Sequence, residues 1–502
     1  MGVGDEIVSH RPLVFVHGYS ASSAAFDVWR QRLRRHGYRG DEMFVCDYVS
    51  LVHEVSIKDL GEAFQRAIAV HPGLADGAPF DAIVHSTGML VVRAWLAGSA
   101  ERRRQLRHLV ALAPATFGSP LAHKGRSWLG AMVKGNRDMG PDFLAVGDEI
   151  LRGLELASPF TWQLAHEDLV GDEAAERSRE GVPYSFVLCG VERYPLVPAA
   201  FNELGSDGVV RLAGVALNAR KIRLDLSLAD DSARDQQRTV TAPWSSPDAP
   251  LVAIAGVNHS TIVSRPPDQL VELVVDALGV ESDDAFDDWK ERARPITRAA
   301  LARRRDRSEW QQFVFRVVDE RGDGVEDYYI DFVYLPVGKR SWRRVEDVRM
   351  KVHPNARDPS YRCFHIDLTS LAMPEGARLG VRLIASTGTH RVDYRGHSAG
   401  ITMLADVESR QETRDWTAAI VLDDLERISF FYPFTTTLVE LVVDREPVPF
   451  TGPNAVLWFA DHPSRDASLA REAAKEAGAD DELQRRIEAA YRRLVDGGDP
   501  AA

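Results

Sequence analysis

Between residues 12 and 114, short apolar runs alternate with helical patterns, and this alternation restricts the fold more than any other feature of the chain. "PLVFV" reads as a strand and "SSAAFDVWRQRLRRHG" as a helix closed by Gly37; "EMFVCDY" is a strand, and "IKDLGEAFQRAIAVHPG" a helix ended by proline and glycine. "FDAIV", "GMLVVRAWLAG" and "LRHLVALAP" continue as strand, helix, strand. That order builds βαβ units, hence a mostly parallel sheet covered by helices on both faces. Ligands of such sheets bind beyond the carboxyl ends of the strands, so chemistry is expected in the turns there.

Past Pro114 the alternation stops. Residues 118–181 read as helical and amphipathic without a strand, through "SWLGAMV", "FLAVGDEILRGLEL" and "SPFTWQLAHEDLV", and an excursion of that size between two strands is expected to be a cap. The sheet resumes with "YSFVLCG" at 184–190 and "PLVAIAG" at 250–256, and "PDQLVELVVDALG" closes it with a helix. Residues 1–280 are therefore expected to form one α/β domain. Residues 281–309, acidic and then basic, read as a charged, solvated helical linker. Residues 310–460 carry many short strands and turns such as "RGDG" and "PEGA", the pattern of an all-β sandwich-like domain. In 461–502, Leu483, Ile487, Tyr491 and Leu494 share one face of an expected helical tail.

Composition narrows the classes of function. A length of 502 residues implies two or three domains, and 45% hydrophobic content with 8% aromatics marks a globular chain. Its 61 basic against 74 acidic residues give a net charge of −13, which argues against nucleic acid or an unassisted anionic membrane as partner. Cys46, Cys189 and Cys363 each lie in an apolar run and read as buried free thiols. With no basic region leading into an apolar one at the start and no run of 18 apolar residues, a cytoplasmic protein that is not transmembrane is expected. Neither a nicotinamide fingerprint, a P-loop nor a metal-spaced His/Cys cluster occurs, and "DERGDG" at 319–324 reads as a hairpin turn, so no cofactor or metal is expected.

Two serines compete for a catalytic role. Ser398 stands in "GHSAG", a full G-x-S-x-G, while Ser86 stands in "VHSTG", where Val84 occupies the leading glycine's place. A serine hydroxyl needs a histidine base, an acid to orient it, two oxyanion donors, and a sharp strand-to-helix turn to expose it. Ser86 has the strand "FDAIV" before it and the helix "MLVVRAWL" after it. Ser398 follows an alternating polar stretch and reads as part of a glycine-rich turn, with Asp444 and His462 as its nominal partners. Asp207, in the glycine-bracketed loop "ELGSDGVVRL", and His259, just beyond "LVAIA", complete the order Ser, Asp, His; Asp230 and Asp231 are weaker acids because no strand precedes them. The amides of Tyr19, after "FVHG", and of Thr87 are the expected oxyanion donors, and His17 reads as a structural loop histidine.

On "FVHGYS", "VHSTGMLVVRAWL", "ALAPATFGSPLA", "ELASPFTWQL", "GSDGVV" and "VNHSTI", residues 12 to about 280 resemble the lipase-like branch of the α/β-hydrolase superfamily. The resemblance implies that fold, a triad at Ser86, Asp207 and His259, and an oxyanion hole at Tyr19 and Thr87. Val84 departs from the family pattern. The expected activity is hydrolysis of a lipid or small ester through an acyl-enzyme, with Trp128, Leu129, Met132, Phe143, Leu144 and Trp162 of the cap as an acyl pocket or as cap packing. Acyl transfer by the same triad, or an inactive hydrolase that binds a protein partner through its β-domain, are the alternatives. Phe431, Tyr432 and Phe434 are expected either to present the enzyme to a lipid surface or to pack as strand core, and a chain ending near Gly279 is expected to keep every catalytic group.

Overall fold

A computed structural model describes residues 11–18, 23–48, 54–123, 148–170, 182–195, 197, 202–227, 240–241, 249–304, 307–387, 392, 394, 397–403, 410–422 and 430–447. The alternating half forms β1 (Leu13–Val16), β2 (Met43–Cys46), β3 (Phe80–His85), β4 (Leu106–Leu112) and β5 (Tyr184–Gly190). β6 (Arg220–Asp225) and β7 (Val240–Thr241) follow, then β8 (Leu251–Ile254). Six of these make one sheet in the order β2-β1-β3-β4-β5-β8, every neighbouring pair parallel.

Helices α1 (Asp27–Arg34), α2 (Ile57–Val70) and α3 (Gly88–Ala97) follow β1, β2 and β3. α2 starts on a capping box, in which Asp59 N donates to Ser56 Oγ at 3.1 Å and Ser56 N to Asp59 Oδ2 at 2.9 Å, satisfying two amides that the first turn leaves open. Gly61 lets α2 approach α3, since a Cβ there would lie 3.1 Å from Trp95 N. Of the cap, the described parts are helical: Pro120–His123, Asp148–Leu154, Pro159–Ala165 and a π-helical turn at His166–Val170.

Residues 281–309 are not a solvated linker. The helix Asp283–Arg303 buries Phe286, Trp289, Ala293 and Ala300 against the α/β domain, with the Phe186 and Trp289 rings 4.6 Å apart and Trp289 Nε1 donating to Leu273 O at 3.0 Å. Its stripe is narrow and set among many charges, which is why composition alone suggested solvent. A chain ending near Gly279 would lose this cover.

The second half holds β9 (Trp310–Asp319), β10 (Tyr328–Leu335), β11 (Arg343–Arg344), β12 (Met350–Pro354), β13 (Tyr361–Asp367) and β14 (Arg378–Ser386). β15 (Ser398–Met403), β16 (Arg410–Val421) and β17 (Thr436–Val443) complete it. One sheet runs β11-β10-β14-β16-β15 and the other β12-β13-β9-β17-β6-β7. They enclose a core containing Phe313, Phe315 and Val317 of β9 with Ile330, Phe332, Val381 and Leu383 of the facing sheet.

This second sheet crosses the expected boundary at residue 280. β6 pairs in parallel with β17, bringing Ile222 and Leu224 into the sandwich core. Alternate residues of the same sheet, Val314, Tyr361, Cys363 and Leu438, join the core of the α/β half. Side chains alternate between faces along a strand, so one sheet serves two cores, and β17 is buried at every position. Phe431, Tyr432 and Phe434 are half-buried and do not form an exposed patch: Phe431 packs on Phe313 and Phe430, Arg220 lies over Tyr432, and Arg304 lies over Phe434. Residues 451–502, with the expected helical tail, lie outside the described residues. Among the described residues no helix is long and apolar enough to cross a membrane.

Val84 sits in ordinary strand register opposite Val16 and Ala111 and is fully buried, whereas a Cβ on Gly88 would overlap the carbonyl oxygen of Val16 and lie 2.8 Å from that of His17. Placing glycine at this position with Val84→Gly is therefore expected to lower unfolding free energy by about 3 kcal/mol in urea titrations. Gly88→Ala should cost at least as much, because the overlap is with backbone. A Val84→Gly chain as stable as the parent would show that the strand end does not depend on that side chain.

Candidate active site

Ser86 follows directly on β3 with a φ of 52°, a conformation that L-residues adopt only under constraint. The constraint comes from its neighbours. Ser86 N donates to Leu112 O at 3.2 Å, its own carbonyl accepts from Ala115 N at 3.1 Å and Met89 N at 3.2 Å, and Gly18 approaches so closely that a Cβ there would lie 2.8 Å from Ser86 Cβ. Thr87 opens α3, so its amide belongs to the helix N-terminus, where backbone donors point outward. Tyr19 lies outside the described residues, next to Gly18. His17 is buried, with Nδ1 2.7 Å from Gly18 O and its ring stacked on Tyr48 at 4.5 Å, so it shapes the loop rather than facing Ser86.

Three residues from separate loops meet. His259 Nε2 lies 3.0 Å from Ser86 Oγ, and His259 Nδ1 lies 2.8 Å from Asp207 Oδ2. The carboxylate can only accept, so the proton sits on Nδ1 and Nε2 is left to accept from the serine hydroxyl. Asp207 is wholly enclosed; its Oδ1 accepts from the amides of Val209 at 2.9 Å and Val210 at 2.8 Å, which compensates the charge it carries. His259 N donates to Asp207 O at 3.1 Å, joining the two loops through backbone as well. Burial, then the charge of Asp207, pushes the Cys189 thiol well above its ordinary value, and its Sγ lies 3.7 Å from Asp207 Oδ2.

His85 is a residue that sequence reasoning missed. Its Nε2 lies 3.0 Å from the carbonyl of His259, and burial, with a further push from His259, holds it well below the ordinary histidine value. It is thus neutral, with an Nε2–H that donates and fixes the histidine loop. Tyr194 was missed too: it fills the space beside Gly208, and its hydroxyl bonds Ser260 Oγ. Neither has a spacing that one sequence would reveal.

Other expected site residues separate from this cluster. Ser398 begins β15 and pairs with Asp415 of β16, and just before it His397 N donates to Tyr394 O at 3.1 Å, so the serine enters an antiparallel strand from a turn and does not stand on a strand-to-helix elbow. Asp444 is buried after β17 and accepts from Glu446 N at 3.0 Å, while His462 lies outside the described residues. Trp162 is buried, edge-on to Tyr361 of β13 with ring centroids 5.7 Å apart, and packs the cap on the sandwich. Trp128, Leu129, Met132, Phe143, Leu144, Asp230 and Asp231 lie outside the described residues. Among the described residues no three His, Cys, Asp or Glu side chains are placed to hold a metal.

No protein-family model matches the chain. No curated protein matches it either. Among solved structures it is similar to the phospholipase PlaB from Legionella pneumophila, with a TM-score of 0.69 and 21% identity over 90% of this chain and 96% of that one. The same protein in complex with thio-NAD gives a TM-score of 0.67 at 21% identity, with the same coverage of 90% and 96%. A Bacillus licheniformis lipase, BlEst2, covers 53% of this chain and 92% of its own at 16% identity and a TM-score of 0.34. The parallel sheet, the turn at Ser86 and the likeness to PlaB along nearly the whole chain identify the α/β-hydrolase fold, continued by a β-rich C-terminal half.

Proposed function

We propose that the protein is a serine hydrolase that cleaves a lipid-like carboxylic ester through an acyl-enzyme on Ser86. The observation that carries this reading is the unbroken line from Ser86 Oγ to His259 at 3.0 Å and on to Asp207 at 2.8 Å, held at the carboxyl end of a parallel sheet. His259 Nε2 takes the hydroxyl proton as Oγ attacks the ester carbonyl, then returns it to the departing alkoxide; Asp207 holds the tautomer and stabilises the imidazolium. The amides of Thr87 and Tyr19 are assigned to the oxyanion, and water attacking the acyl group by the reverse proton path regenerates the serine.

A lipid-like substrate is favoured because the chain shares its fold over 90% of its length with a protein named a phospholipase. Transfer of the acyl group to an acceptor alcohol uses the same groups and differs only in which hydroxyl enters the second step. An inactive, purely partner-binding chain is disfavoured, since its one motif-level support, Val84, occupies normal strand register. Nitrophenyl esters of graded chain length, phospholipid vesicles and added alcohols separate these cases by their products.

Ser86→Ala should abolish ester cleavage and labelling by a fluorophosphonate, while Ser398→Ala should leave both at parent levels. Labelling that survives the first change and vanishes with the second would move the nucleophile to β15. Asp207→Asn should preserve the fold and reduce turnover by about 10⁴-fold, because the amide favours the wrong imidazole tautomer. Turnover within tenfold of the parent would remove Asp207 from the acid's role.

A further inference from the structure

Two charged residues flank Asp207 four positions to either side, and both are buried. Arg211 Nε donates to Glu203 Oε2 at 2.9 Å with side-chain exposures of 0% and 2%, so the pair has left water entirely. Taking two charges out of water is costly, and an apolar pair of similar size would hold loop to loop at least as well. What an ion pair adds is direction.

The direction is toward the sandwich. Arg211 NH2 lies 2.7 Å from His353 Nε2 on β12, and NH1 lies 3.4 Å from Cys363 Sγ on β13. A guanidinium only donates, so His353 Nε2 accepts, and the histidine is in its neutral Nδ1–H form. Glu203 Oε1 faces Lys351 Nζ of β12 at 3.5 Å. From β9, Trp310 presses on the same loop: Gly205 has a φ of +69°, and a Cβ there would come to 2.5 Å of Trp310 Cδ1.

From this pair the constraint passes to Asp207 through short links. Ser206 Oγ donates to Glu203 O at 2.7 Å and accepts from Gly208 N at 3.2 Å, while Leu212 N donates to Gly205 O at 2.8 Å. The loop is thereby closed on itself around the two amides that hold Asp207 Oδ1.

We propose that Arg211 and Glu203, clamped by Lys351, His353, Cys363 and Trp310, are positioning residues for Asp207, so that the β-sandwich is a working part of the active site. This rests on the reading of Ser86, His259 and Asp207 as the reacting groups. It replaces the expectation that the triad needs nothing beyond residue 280.

The test uses the full chain with Arg211→Lys, His353→Ala and His353→Gln, and with Val337→Ser at an exposed position as control. Turnover of nitrophenyl butyrate, stability in urea, and the far-downfield NMR resonance of the His259 Nδ1 proton are read on each. Arg211→Lys keeps the charge but loses the fork, and should lower kcat by about 10²-fold with KM nearly unchanged. His353→Ala should lower kcat by about tenfold, and His353→Gln, whose side-chain oxygen can accept where Nε2 did, should recover most of it. The Nδ1 resonance should shift or broaden in Arg211→Lys and His353→Ala and stay in place in His353→Gln and Val337→Ser. If Arg211→Lys does not fold, the His353 pair decides. Folded variants with parent kcat and an unmoved resonance overturn the proposal. A parent chain that cleaves no ester overturns the hydrolase reading instead, and the resonance still reports whether the clamp sets the contact between Asp207 and His259.

Discussion

A serine held at a φ of 52° persists only where its surroundings leave it no alternative, at a strain of about 1–3 kcal/mol. Here those surroundings are the carbonyls of Val16 and His17, pressed against Gly88, and the approach of Gly18 to the Ser86 side chain. Parallel pairing of β3 with β1 and β4 fixes all of these at the carboxyl end of the sheet. The hydroxyl is exposed to His259 because the backbone has nowhere else to go, and the helix that follows turns its N-terminal amides to the same side.

The second dependency is the sheet with two buried faces. β9, β13 and β17 send alternate side chains into the sandwich core and into the α/β core, and β6 is inserted from the α/β half of the chain. Removing either half exposes an apolar face of the other. The acid loop lies against this sheet, so stability and the geometry around Asp207 share one set of contacts. On this account the two halves are one folding and catalytic unit.

What the sequence made legible follows the reach of local signals. Ser86 and His259 stand close behind β3 and β8, whose ends are visible as the close of an apolar run, while Asp207 lies well past β5 and is marked by the glycines that bracket its loop. The helix Asp283–Arg303 reads as solvated from sequence because four buried residues spread over its 21 positions are outweighed in composition by charge. β6 has the alternation of a strand, but its partner β17 lies more than 200 residues away in parallel register, and no local pattern names such a partner. "GHSAG" is the fuller motif and still the wrong context, because a motif counts letters while an elbow requires a strand before it and a helix after it. Arg211 and Glu203 stand four residues from the acid with no signal except their positions, and only packing shows that they are buried.

The measurement that bears most directly on this account is rapid quenching of the protein during turnover of a nitrophenyl ester, followed by peptide mapping of the acylated residue. The account predicts one acyl group, on the hydroxyl of Ser86, accumulating in step with the burst of nitrophenol and absent from the Ser86→Ala chain. Acylation at Ser398 or at any other residue, or turnover with no acylated peptide, would contradict it.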